Sequence, residues 1–398
     1  MRISENARVG NRADNVRESN AAAVLATIRS RGALSRAAIA RATALSMPTV
    51  SRQVAALIER ELLRELPDRS PNGAVGRPRV PVDINNEVVA ACGVHIGVRT
   101  TTYGLADLRG GVLDSQTFET PGGGAEDALA QIAGRARAFL RRWPRRKIIG
   151  IGVASGGATD PTRGTLAHEG LGWREVPAQT LLERATGLPV RLDGHVPAMA
   201  SAELLFGSST GSGSMLYFYA RQMVGAAFAV HGRLHRGPGR ASTIAHLPVG
   251  GDVRCSCGST GCLEANVAEL AVLRKAIRAG VLTEPSIRLL REAARDGDQE
   301  AVRILSERAR TLGRAVALLR DAIDPDVVVL GGQAITDAPD YLPELLDSFA
   351  AHTALPGTDL VRVTGFGPDV QAIAACTGLL TQLYEFPLSV VPRVFESN

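Results

Sequence analysis

Hydrophobic spacing separates a short helical arm from a longer α/β body. Over residues 20–31, Val24, Leu25 and Ile28 fall on one face of a helix, and Gly32 stops it. Ser35 is an N-cap for a second short helix, Arg36 to Arg41, and Ser46 for a third, with Pro48 tolerated in its first turn. Along the third helix Val50, Val54, Leu57 and Ile58 recur at three- and four-residue spacing and pack against the second. That leaves Ser46, Met47, Thr49, Ser51, Arg52 and Gln53 turned toward solvent or DNA. Residues 62–84 run from a strand (LLRELP) through a basic turn (SPNGAVGRPR) to a second strand (VPVDIN), the pattern of a β-hairpin wing.

From Val88 the period changes. Three strands (VVAACGVHIG, TTTYGLADLRG, GVLDSQTFE) precede a helix over 125–142, then strand KIIGIGVASGG, a helix ending at Gly187 and strand LPVRLD. The second half repeats the scheme. Strands are expected at 214–220, 224–230 and 326–332, with helices from 264 to 323 and near 341–350 and 370–384. Two similar α/β lobes with parallel-containing sheets are therefore expected, and 398 residues exceed what one core supports. The predicted layout is a DNA-binding domain over 1–80, a linker over 81–87 and the body over 88–398.

Charge sharpens the division. The net +5 of the chain resolves into +7 on residues 1–80, which hold 14 arginines, no lysine and 7 acids, and −2 on the rest. A basic helix-turn-helix on a near-neutral body points to double-stranded DNA as partner, with the third helix in a major groove. Ser, Thr, Gln and Arg are side chains that bond base edges and phosphates, and Arg36 adds a cation at the second helix. Gly76-Arg77-Pro78-Arg79 is an extended segment suited to a minor groove. No stretch approaches 18 consecutive apolar residues, and the polar N-terminus lacks a signal-peptide core, so a cytoplasmic protein with no membrane partner is expected.

Cysteine is scarce and clustered. Of five in the chain, Cys255, Cys257 and Cys262 lie in HLPVGGDVRCSCGSTGCLE (246–264), with Cys92 and Cys376 elsewhere. Three thiolates and the imidazole of His246 make a closed tetrahedral set for structural Zn2+, with Gly258 and Gly261 allowing the tight loop. Ordinary buried cysteines or a disulfide are the alternatives, and the disulfide is disfavoured in a cytoplasmic setting.

The arm, with its GRPR segment, the lobe order and above all CSCGSTGCLE together resemble the ROK family (repressors, open reading frames, kinases) over essentially the whole chain. The resemblance implies an actin-like ATPase body of the sugar-kinase type, forming a homodimer or homotetramer that spaces two recognition helices on an operator. It also shows what this chain lacks. The family's first phosphate segment, Asp-x-Gly-Gly-Thr, is His95-Ile96-Gly97-Val98-Arg99 here, and the second, Gly-Thr-Gly-Ile-Gly, is Arg221-Gln222-Met223-Val224-Gly225. Gly331-Gly332 remain on the adenosine side. The Asn-Asp pair that carries the catalytic base falls on Gly194-His195, the sugar-binding Asn before Leu171-Gly172-Trp173 is Gly170, and a sugar-binding Glu is Thr243. Without a hydrogen bond to a sugar hydroxyl, affinity falls by about 1 kcal/mol per missing bond. The chain is therefore expected to be no enzyme and to have no catalytic residue. Any small-molecule effector would be anionic or larger than a neutral monosaccharide, held near His195, His246, Glu264 and Arg221. A sugar kinase or sugar-responsive repressor that retains sugar binding is the alternative.

Overall fold

The computed structural model describes residues 12–67, 80–207, 211, 213–236, 243–367 and 369–390. Two compact units emerge: the first draws on Met1–Ser155, Asp160–Asp193 and Asp369–Asn398, the second on Gly156–Thr159 and Gly194–Pro368.

The first unit begins with α1 (Arg12–Arg31), α2 (Arg36–Thr43), α3 (Met47–Glu59), β1 (Leu63–Glu65) and β2 (Val82–Ile84). Helix α1 starts ahead of the expected residue 20, because Val24, Leu25 and Ile28 anchor its second half while the first turns are polar. Ser35 Oγ accepts the Ala38 amide at 3.3 Å and Ser46 Oγ the Thr49 amide at 3.3 Å, so both predicted caps form. Between them Ala44 takes a left-handed φ of 56°, which turns the chain sharply from α2 into α3. Strand β2 falls within the stretch expected as linker and pairs antiparallel with β1, Leu63 opposite Ile84.

The unit continues with β3 (Val89–Ile96), β4 (Thr100–Ala106), β5 (Val112–Glu119), α4 (Ala125–Leu140), β6 (Lys147–Ser155), β7 (Ala158–Asp160), β8 (Thr165–His168), β9 (Trp173–Val176), α5 (Ala178–Thr186) and β10 (Val190–Gly194). Its main sheet has the order β10-β6-β3-β4-β5, with β3 parallel to β6 and antiparallel to β4.

In the second unit follow α6 (His195–Phe206), β11 (Ser214–Ala220), β12 (Val224–Val230), β13 (Arg233–Leu234), α7 (Leu263–Val267), α8 (Glu269–Arg278), α9 (Ile287–Arg295), α10 (Gln299–Ile323), β14 (Val327–Gly331), α11 (Gln333–Thr336), α12 (Leu342–His352) and β15 (Val361–Val363). Its sheet, β13-β12-β11-β14-β15, again combines an antiparallel hairpin with parallel neighbours. Two α/β units, each on a mixed five-stranded sheet, agree with the expected two-lobed fold.

The chain then returns to the first unit through α13 (Val370–Glu385) and α14 (Pro387–Val390). A row of glycines admits α13: Gly93 lies opposite Gly104 across β3–β4 and opposite Gly152 across β3–β6. A Cβ on Gly152 would stand 2.0 Å from the Ala375 carbonyl oxygen, and one on Gly104 2.5 Å from Ala372 Cβ. Helix and sheet thus meet backbone to backbone. Further along, the Tyr384 hydroxyl donates to the Leu108 carbonyl at 2.6 Å and the Arg29 guanidinium covers its ring at 4.5 Å. Arg60, buried at the end of α3, donates to the Leu388 carbonyl at 3.0 Å, and Glu18 accepts the Leu388 amide at 3.0 Å. Helices α1 and α3 are therefore docked on α13 and α14.

Candidate functional sites

Helix α3 presents the exposed residues Ser46, Met47, Ser51 and Arg52 along its N-terminal half, with Thr49 half-buried beside them. Gln53 departs from expectation. It is 6% exposed, because three residues after Val50 and four before Leu57 it falls on the inward face of the helix, and its amide oxygen is buried without a hydrogen-bond partner. Arg36, half-buried at the start of α2, donates to Glu65 at 2.7 Å, which ties α2 to the end of β1. Arg77 and Arg79 lie outside the described residues.

In the second unit His246, Cys255, Cys257 and Cys262 converge, their ligand atoms all within 4.8 Å of one another. His246 Nδ1 lies 3.5 Å from Cys255 Sγ, and Cys257 Sγ lies 3.6 Å from Cys262 Sγ. Tetrahedral Zn–S and Zn–N bonds place ligand atoms about 3.5–3.8 Å apart, so the donor set fits the metal. The loop is built from short backbone ties: the Cys255 amide donates to the Ser259 carbonyl at 2.8 Å and the Gly258 amide to the Cys255 carbonyl at 3.0 Å. Gly258 takes φ +93° and Gly261 φ +71°, where a side chain would be strained. The Ser259 amide and the adjacent thiols hold the Cys257 thiol down to about 6, which favours the thiolate that a cation needs. Cys262 is also the N-cap of α7, so the loop sets where that helix begins.

Of the effector candidates, His195 opens α6, is buried, and meets the Tyr219 ring edge-on at 4.6 Å. The charge of the nearby Arg221 acts on the Tyr219 hydroxyl, so Tyr219 stands between the two. The Arg221 carbonyl accepts from the Glu269 amide at 2.9 Å and from Arg308 at 3.4 Å. Glu264 accepts the Val224 amide at 3.3 Å, and the Glu264 amide donates to the Ala245 carbonyl at 3.0 Å. The 221–225 turn is thus fastened from behind by groups of the same unit. His246 belongs with the cysteines. In the first unit, a Cβ on Gly170 would meet Val98 Cγ2 at 2.9 Å. Val98 therefore occupies the space into which a larger residue at 170 would extend. His168 stands beside it, its Nδ1 buried without a partner, and burial holds its imidazole below the usual value. Sequence reasoning does not single out Tyr219, His168 or the partners of Val98. An aromatic or a histidine inside an apolar strand carries no local mark of what it touches.

The fold and the His/Cys cluster together define a kinase-like α/β body with a three-helix arm, and the chain belongs to the ROK family, which residues 91–361 match. It is 43% identical over 390 residues to Transcriptional regulator Rv0485 of Mycobacterium tuberculosis, covering 94% of this chain and 88% of that protein. Among solved structures, a ROK family transcriptional regulator described as a homologue of the Escherichia coli MLC protein superposes with a TM-score of 0.82. The match covers 95% of this chain and all of that one at 24% identity, and shows the shared fold. The ROK hexokinase of Thermus thermophilus superposes with a TM-score of 0.64 at 30% identity, covering 73% of this chain and 97% of that enzyme. Among the described residues no helix is long and apolar enough to cross a membrane.

Proposed function

We propose that this protein is a DNA-binding transcriptional regulator whose kinase-like body serves dimerisation or effector sensing and transfers no phosphoryl group. The observation that carries the proposal is the 43% identity to a transcriptional regulator over 94% of the chain, arm included. The geometry adds support. Residues 12–67 and 80–84 follow the element order of a winged helix-turn-helix, and α3 offers Ser46, Met47, Thr49, Ser51 and Arg52 for a major groove, with Arg36 beside β1. Arg77 and Arg79 are assigned the adjacent minor groove from sequence alone.

The body keeps the scaffold and loses the chemistry. His95, Val98 and Arg99 stand where the family's magnesium- and phosphate-binding segment would, and Val98 fills the space in front of Gly170. His195 replaces the catalytic carboxylate and packs on Tyr219. A structural Zn2+ on His246, Cys255, Cys257 and Cys262 would hold the loop that leads into α7. An effector near His195, Arg221, His246 and Glu264 would act through different affinities for DNA-competent and incompetent arrangements of a homodimer or homotetramer.

The test is selection of genomic fragments by the purified protein, with and without a metabolite pool. A motif with two half-sites, released by a fraction of the pool, is the expected result. Absence of any enriched motif, or glucose phosphorylation at an enzymatic rate with MgATP, would overturn the proposal.

A further inference from the structure

The near-neutral body of this chain carries one dense basic segment. Residues 81–398 sum to −2, yet the thirteen from Arg135 to Lys147 hold six arginines, one lysine and no acid. Without them residues 81–398 would stand at −9. This segment, the end of α4 and the turn into β6, belongs to the same compact unit as the N-terminal helices. Four of its cations have partners: Arg135 donates to the Glu119 carbonyl at 2.8 Å, Arg142 pairs with Asp114 at 3.1 Å, Arg146 donates to the Asn86 carbonyl, and Lys147 approaches Glu61 at 3.9 Å. The last two contacts matter most. Glu61 is in the turn that follows α3, and Asn86 follows β2, so the segment abuts the base of the two-stranded wing. Arg137, Arg141 and Arg145 are exposed, and their guanidinium groups make no hydrogen bond or ion pair among the described residues.

Resting on the DNA-binding function proposed above, we infer that Arg137, Arg141 and Arg145 form a second DNA contact, which grips the phosphate backbone flanking the half-site that α3 reads. Three facts favour DNA. The cations are arginines, which bind phosphate bidentately, they share a unit with the recognition helix, and they adjoin its wing. They would widen the footprint and strengthen binding without reading bases.

The experiment compares the full-length wild type with R137A/R141A/R145A on a genomic fragment that the wild type retains. The fragment is prepared with roughly 15 base pairs beyond each protected half-site, about one and a half helical turns, and in a form trimmed to the half-sites. On the long form the slope of log K against log salt should fall by about 2–3 for each protomer bound to a half-site of the variant complex. The advantage of the wild type should then shrink about 40-fold per bound protomer between 50 and 200 mM salt. On the trimmed form the two proteins should bind alike. R274A/R278A, which removes exposed charge from α8, should match the wild type on both, and melting curves show that each variant folds. An unchanged slope on the long form, or an equal loss on both forms, would overturn the inference while leaving the DNA-binding function intact. Failure of the wild type to retain any fragment would remove both.

Discussion

Removing the Tyr384 side chain should release the N-terminal arm from the body. The ring lies near the end of α13, is 6% exposed, and carries the Arg29 guanidinium at 4.5 Å. Its hydroxyl is the donor to the fully buried Leu108 carbonyl. Tyr384→Phe keeps the packing and orphans that carbonyl, which costs about 1–3 kcal/mol. Tyr384→Ala also empties the ring volume, about 3–5 kcal/mol for a buried aromatic, and frees a partly buried arginine that gained about 1–2 kcal/mol from the ring. Against a total stability of about 5–15 kcal/mol, the alanine variant loses a large share and the phenylalanine variant a small one. Melting followed by circular dichroism should place Tyr384→Phe roughly 3–10 °C below the wild type, with Tyr384→Ala lower again. Limited trypsinolysis should then cut within α1–α3 of the alanine variant before it cuts the body. Affinity for DNA with two half-sites should fall more than affinity for one, since a loosened arm no longer fixes their spacing. A Tyr384→Ala protein that melts within about 1 °C of the wild type, with the arm cut no faster than the body, would refute the docking of the arm through this ring.

Three further outcomes are expected. Metal analysis of purified protein should give about one zinc per chain, and Cys262→Ser or strong chelation should lower the melting temperature and promote aggregation, because the ion closes the loop that starts α7. Full stability after metal removal would contradict that role. Gly152→Ala should fail to accumulate as folded protein, since its Cβ would lie 2.0 Å from the Ala375 carbonyl oxygen and a backbone atom cannot step aside. On α3, Arg52→Ala should weaken DNA binding, whereas Gln53→Leu should leave it unchanged and hold or raise the melting temperature by replacing a buried, unpartnered amide with an apolar group. Equal losses of DNA affinity from both substitutions, in a titration on one fragment, would show that Gln53 turns outward on DNA.

Features that depend on neighbours along the chain are legible in the sequence itself. Caps at Ser35 and Ser46 act on amides three residues away, and the metal donors, His246 apart, crowd into eight positions. The strands of both lobes announce themselves by apolar runs. What stays hidden depends on register across distant segments. Gly93, Gly104 and Gly152 each look like an ordinary glycine within an apolar strand, and only pairing of β3 with β4 and β6 lines them up beneath α13. Arg60 and Leu388 are 328 residues apart, so nothing near Arg60 marks it as a tether. Gln53 misleads because its polarity outweighs its position. Counted from Val50, it sits on the helix face that packs inward.

The fold of this body can persist without phosphoryl transfer, as proposed above, because its contacts divide between scaffold and site. The 221–225 turn is held by Glu264 at the Val224 amide and by Glu269 and Arg308 at the Arg221 carbonyl, all from behind. None of these ties requires a phosphate or a glycine at 221–223, so side chains could enter there without loosening the turn. At the Gly170 site, Val98 takes up room that a larger residue would need, and a filled space costs less than an empty one. The glycine row, by contrast, tolerates nothing, because α13 lies directly on it and also carries Tyr384 beneath the arm. Within the first unit, the glycines that cannot change are thus those beneath the helix that seats the N-terminal arm.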